Sequence, residues 1–100
     1  MNNYPGTTTV ITLYSPLTLE NGSKLTTVTM REPQVRDRIE FNKSPGSDAE
    51  KEAKMIATLC NMNIEDVYSL TAADFSQFED AVNVFLLPPA KRPKPKSEKP

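Results

Sequence analysis

One hundred residues, 37% hydrophobic and 25% charged, suffice for one small domain. Such a chain buries only roughly 60–65% of its unfolded surface and gains from a partner or from self-association. It has no histidine and no tryptophan, and its single cysteine, Cys60, excludes an intramolecular disulfide and a thiolate zinc cluster, which fits a reducing cytosol.

The N-terminal "MNNYPGTTTV" lacks the basic and long apolar regions of a secretory signal, and no apolar run approaches the ~20 residues that cross a bilayer. A β-hairpin is expected over about 8–31. Its turn is placed at Asn21-Gly22, the dipeptide best suited to a two-residue type I′ loop. That loop sets Glu20 opposite Ser23 and Leu13 opposite Met30. One face then collects Ile11, Leu13, Leu17, Leu19, Val28 and Met30, and the other takes Val10, Thr12, Tyr14, Thr18, Leu25, Thr27 and Thr29. Pro16 removes a donor from the first strand, which suits an edge or a bulge.

A first helix is predicted over about 33–41, with Pro33 at its first position, since proline is tolerated there and disfavours helix in the residue before it. Glu32–Arg36 and Arg36–Glu40 have i,i+4 spacing, and Val35 and Ile39 form its apolar stripe. "NKSPGSD" breaks the chain. A second helix follows over about 48–61, opened by a Ser47/Glu50 capping box. Ala49, Ala53, Ile56 and Cys60 lie on one stripe and Met55, Leu59 and Met62 on another. Together they make an apolar arc wider than one neighbouring helix needs, which suggests a subunit contact.

Asn63 caps a short turn, and Thr71 with Asp74 opens a third helix over about 72–87. Phe75, Phe78, Val82, Phe85 and Leu86 line one of its faces, and Pro88-Pro89 ends it. Residues 88–100 lack apolar periodicity and read as a disordered Pro/Lys-rich tail. They carry Lys91, Arg92, Lys94, Lys96 and Lys99 against Glu98, or +4, which leaves −5 on residues 1–87 within a net charge of −1. The fold class is α+β: a hairpin, a short helix and an α-helical hairpin.

Catalytic and cofactor chemistry finds little here. Without histidine the commonest base and metal ligand is missing. Three glycines form neither a Walker loop nor a dinucleotide fingerprint. Cys60, between Leu59 and Asn61, lacks an activating charge and reads as core. Asp48, Glu50 and Glu52 suit a helix N-terminus, and Glu65-Asp66 and Glu79-Asp80 read as solvated positions. No enzyme activity, cofactor or metal is expected. The remaining signals are surfaces. Met55, Leu59, Met62, Phe75, Phe78, Val82 and Phe85 are the candidate partner- or subunit-binding residues, and the phenylalanine stripe also reads as ordinary core.

These segments together resemble the E-type tail assembly chaperones of contractile-tailed phages. "ITLYSPL" opens the likeness, a second strand ends "VTMREP", and "IEDVYSLTAADF" precedes an apolar helix, so that it spans about Val10 to Leu86. The resemblance implies a non-enzymatic factor of the host cell cytoplasm, absent from the mature virion. It implies binding of the tape measure protein, which is kept soluble and assembly-competent until tube subunits polymerise around it. It also implies a longer frameshifted form as a possible partner, with "VFLL" compatible with a slippery codon run, and homo-oligomerisation that multiplies weak contacts. Two other readings stand beside it. One is a small nucleic-acid-binding regulator using the basic tail with Arg31, Arg36 and Arg38, which the acidic body disfavours. The other is a minor structural tail protein.

Overall fold

The computed structural model describes residues 8–92. The elements run β1 (Thr8–Thr18), β2 (Lys24–Arg31), α1 (Val35–Lys43), α2 (Asp48–Cys60), α3 (Ile64–Tyr68), α4 (Ala72–Phe85) and a 3-10 turn at Pro89–Lys91. β1 and β2 form an antiparallel hairpin and the rest is helical, the α+β order expected.

The hairpin closes in a different register from the expected one. Leu19 brackets the loop with Ser23, its N–H donating to the Ser23 carbonyl at 2.8 Å, while the Gly22 N–H donates to the Leu19 carbonyl at 2.9 Å. A type I′ turn needs positive φ at both central residues, but Asn21 is not left-handed and Gly22 is, at φ +90°. One left-handed glycine closes a three-residue loop instead. Asn21 contributes through its side chain, whose Oδ1 accepts the Ser23 N–H at 2.9 Å.

Next to the loop Leu17 faces Leu25, but farther out Thr12 faces Thr27, Ile11 faces Val28 and Thr9 faces Met30. Leu13 is therefore not opposite Met30. Residues 13–16 of β1 bulge out against Thr26 alone, and Pro16, which has no N–H, sits in this bulge. The loop moves the register by one residue and the bulge by three more. An odd shift swaps faces and an even one restores them. Hence Leu25, expected on the outer face, is half-buried, whereas Val28 and Met30 remain inside with Ile11, Leu13 and Leu17.

α2 lies over β2, α4 lies over β1, and α1 packs on α2. The main core joins the inner hairpin face to Ile56, Leu59 and Cys60 of α2 and to Phe78, Ala81, Val82 and Phe85 of α4. Full burial of a side chain such as Ile56 or Phe78 stabilises by about 1.5–3 kcal/mol. Ala53 and Ala57 on the other flank of α2 pack against Val67 of α3. The wide apolar arc of α2 is thus shared between the sheet and α3, while Ala49 is exposed.

The helix boundaries follow their caps. α1 starts at Val35, two residues later than expected, because Gln34 is its N-cap and forms a capping box with Asp37; Pro33 lies just outside. The Ser47/Glu50 box opens α2 as expected, with the Ser47 N–H donating to Glu50 Oε1 at 2.8 Å and the Glu50 N–H to Ser47 Oγ at 3.2 Å. Gly46 (φ +108°) makes room for it, since a Cβ there would stand 2.7 Å from Glu50 Oε1. Left-handed Asn61 (φ 56°) ends α2. Thr71 caps α4 through the Asp74 N–H at 3.1 Å, and Phe85 rather than residue 87 is its last residue.

The stretch from Pro88, expected to be a disordered tail, is described as far as Arg92, with a 3-10 turn at Pro89–Lys91. Arg92 is buried: its guanidinium donates to the Phe85 carbonyl at 2.8 Å, the Leu87 carbonyl at 3.0 Å and Glu32 Oε2 at 2.8 Å. Glu32 thus pairs with Arg92 rather than with Arg36. Lys94, Lys96, Glu98 and Lys99 lie outside the described residues.

Candidate functional site

The seven candidate residues separate into two groups. Leu59, Phe78, Val82 and Phe85 are buried in the main core, and Met55, Met62 and Phe75 are half-buried against it. Leu59 and Phe78 meet across the same core that holds Ile11 and Met30, so their apolar surface is already covered by the chain itself. Of the seven, the two methionines line surface clefts. Met55 borders a cleft of about 160 Å³ between α1 and α2, together with Phe41, Lys51 and Thr58. Met62 borders a groove of about 480 Å³ with Leu19, Leu25, Thr27, Thr29 and Asp66.

The exposed apolar side chains are others: Val10 and Tyr14 on the outer hairpin face, Val35 and Ile39 on α1, Tyr68 on α3, and Leu86 and Leu87 after α4. α1 reverses the usual arrangement of a surface helix. Its buried residue is a carboxylate, Asp37, while Val35 is 74% and Ile39 51% exposed. Arg31 causes this. Its Nη1 and Nη2 each donate to an Asp37 oxygen at 2.9 Å, and the Gln34 N–H donates to Asp37 Oδ2 at 2.7 Å. The Arg31 guanidinium, with the Gln34 N–H, holds the Asp37 carboxyl below the usual carboxylate range against the opposing effect of burial. Phe41, on the same inner side, packs under the Lys51 ammonium at 5.4 Å. The apolar residues are left facing solvent. Nothing in the composition of "VRDRIEF" announces this, although the Gln34-to-Asp37 spacing is a readable capping signal.

Two further carboxyl features lie elsewhere. Asp74 is fully buried; its oxygens accept the Tyr14 N–H at 2.7 Å, the Ser15 N–H at 3.1 Å, Thr71 Oγ1 at 3.2 Å and Gln77 Nε2 at 2.9 Å. Burial pushes its pKa up, but these hydrogen bonds outweigh burial and hold the carboxyl low. Glu52 of α2 meets Glu79 of α4; burial and the hydrogen bond and repulsion from Glu79 push the Glu52 carboxyl up to about 7. Glu79 is thus half-buried rather than the solvated position the sequence suggested, and Glu52, read as a helix N-terminal carboxylate, lies against it. Cys60 is buried and its thiol is pushed up to about 12, so no thiolate is available for chemistry near neutral pH. Among the described residues no three of His, Cys, Asp and Glu gather as metal ligands would, and no helix is long and apolar enough to cross a membrane.

Residues 10–87 match the family model described as phage tail assembly chaperone proteins, E, or 41 or 14. This chain belongs to the phage tail assembly chaperone family. The match begins inside β1 and ends two residues past α4, so the hairpin from Val10 on, helices α1 to α4 and the Asp74 bonds between them lie within the family's region. The 3-10 turn and Arg92 lie outside it. No curated protein and no solved structure matches the chain. As a tail assembly chaperone the chain works on protein partners during tail assembly, in a family that is generally non-enzymatic.

Proposed function

We propose that this tail assembly chaperone binds the tape measure protein in the host cytoplasm, keeps it soluble until tube subunits surround it, and leaves before the virion matures. The observation that carries the reading is the family match over residues 10–87. The physics fits it. A long helical client exposes apolar stripes that aggregate unless covered. The chain presents apolar residues on several outward faces and half-buried methionines at two clefts, and methionine adapts to varied partners. A single small domain covers little of a long helix, so several copies act on one client and weak contacts multiply.

Nucleic acid is a poorer partner. Arg92, one of the five basic residues of the C-terminal stretch, is committed to Glu32 and two carbonyls, and Arg31 to Asp37.

The test is co-purification. Tagged tape measure protein expressed with the untagged chain is expected to retain it through washes at moderate salt, and purified virions are expected to lack it by mass spectrometry. A tape measure protein that retains none of the chain, or virions that contain it in stoichiometric amount, overturns the proposal.

A further inference from the structure

We infer that the solvent face of α1 is a docking surface for an amphipathic helix whose apolar stripe is bordered by Asp and Glu. Val35 and Ile39 lie four apart, about 40° from each other around the helix, and form an outward crest. Arg38 stands on one side of the crest and Arg36 and Lys43 on the other; all three are exposed. Among the described residues no ion pair engages these three cations, whereas Arg31 and Arg92 are paired. Glu40 lies farther down the flank and leaves the border of the crest net positive.

This basic and apolar face stands on a body that is otherwise acidic, since residues 1–87 carry −5. Charge complementarity therefore selects a partner with carboxylates beside its apolar stripe and disfavours one bordered by lysine. The crest is two side chains long, which fits one or two turns of a facing helix and offers too little apolar area for a bilayer. The helix is also held in place before any partner arrives. Asp37, on its inner side, is fixed by Nη1 and Nη2 of Arg31, so docking does not have to order it. That the partner is helical rests on the proposed chaperone function; that it is acidic rests on α1 alone.

The experiment uses the full chain and two designed helical peptides with the same leucine stripe, one bordered by Glu and one by Lys, read by fluorescence anisotropy at low and moderate salt. The Glu-bordered peptide is expected to bind about tenfold or more tightly than the Lys-bordered one, with the gap shrinking as salt rises. Val35→Ser with Ile39→Ser is expected to weaken binding about tenfold or more, and Arg36→Glu with Arg38→Glu to reverse the charge preference. All four positions are exposed, so the thermal midpoint of each variant checks that the fold persists. Equal binding of both peptides, or variants that bind like the parent chain, overturns the inference. So does binding of anionic vesicles in place of the peptides, or self-association that the Val35/Ile39 change abolishes. If the α1 variants co-purify with tape measure protein as well as the parent does, the inference fails and the chaperone function stands. If the Glu-bordered peptide binds at α1 while tape measure protein does not co-purify, the inference stands and the client assignment fails.

Discussion

Asp74, the third residue of α4, accepts the backbone N–H of Tyr14 at 2.7 Å across sixty positions of sequence. The bulge in β1 leaves the Tyr14 and Ser15 amides without a partner strand, and this one carboxylate satisfies both. Gln77 strengthens the junction by donating to the Thr12 carbonyl at 2.9 Å. The bulge and the start of α4 are therefore one structural unit. Asp74→Ala is expected to destabilise the fold by about 2–4 kcal/mol, since it strands two N–H groups and a cap partner. Urea denaturation of both proteins at pH 7 checks this.

Acid should weaken the same junction. Asp74 and Asp37 both titrate below their ordinary values in the fold. Their stabilisation is present above the unfolded carboxylate pKa of about 4 and is lost as pH falls through the lower folded values. The thermal midpoint is expected to drop below pH 4, and by less in Asp74→Asn, whose amide does not titrate there.

The Glu52–Glu79 contact has the opposite sign. Glu52 holds its proton to about 7 in the fold and releases it near 4.5 when unfolded. Its contribution is present below the unfolded value and is lost as pH rises through 7. Glu52→Gln is expected to raise stability at pH 8 by on the order of 1 kcal/mol, the contact being partly solvent-screened. At pH 4 the gain should vanish. Denaturant midpoints of the two proteins at both pH values give the comparison.

Arg92 ties the end of α4 to the junction of β2 and α1 through Glu32. Arg92→Ala, which leaves the carbonyls of Phe85 and Leu87 short of a donor, should cost about 2–3 kcal/mol, or on the order of 10 °C in Tm. Calorimetry on the parent chain and the Arg92→Ala variant checks this.

Cys60 should be inert in the native protein. A buried thiol pushed up to about 12 reacts slowly with a thiol reagent at pH 8, and denaturant should restore ordinary reactivity. Fast modification without denaturant would show that the core around Cys60 opens readily.

The residues that were legible in the sequence are those whose signals are local. The Ser47/Glu50 and Thr71/Asp74 caps depend on three-residue spacings, and the stripe of Phe78, Val82 and Phe85 on helical period. The inner face of the hairpin was legible too, although its register was not. A one-residue shift at the loop and a three-residue shift at the bulge moved the pairing by an even total and returned Val28 and Met30 to the inside. That bulge depends on a carboxylate sixty positions away, which no local pattern announces. Arg92 shows the same limit: composition marks it as one charge among many in a basic tail, and only tertiary contact makes it a buried anchor.

The outward face of α1 was illegible for a sharper reason. Val35 and Ile39 have the spacing of a core stripe, and the direction they face is decided by Arg31 holding Asp37 inside. The apolar arc on α2 is divided in the fold. The sheet and α3 cover Ala53, Ile56, Ala57, Leu59 and Cys60, while Ala49 is exposed and Met55 and Met62 are half-buried.

Soluble yield of the tape measure protein, measured by quantitative sedimentation as the copy number of this chain is raised in co-expression, tests its assignment as a client most directly. The soluble fraction is expected to rise with chain copy number and level off at several chains per client, and to fall back when Val35 and Ile39 are changed to serine. A tape measure protein that sediments equally at every level of the chain would contradict it.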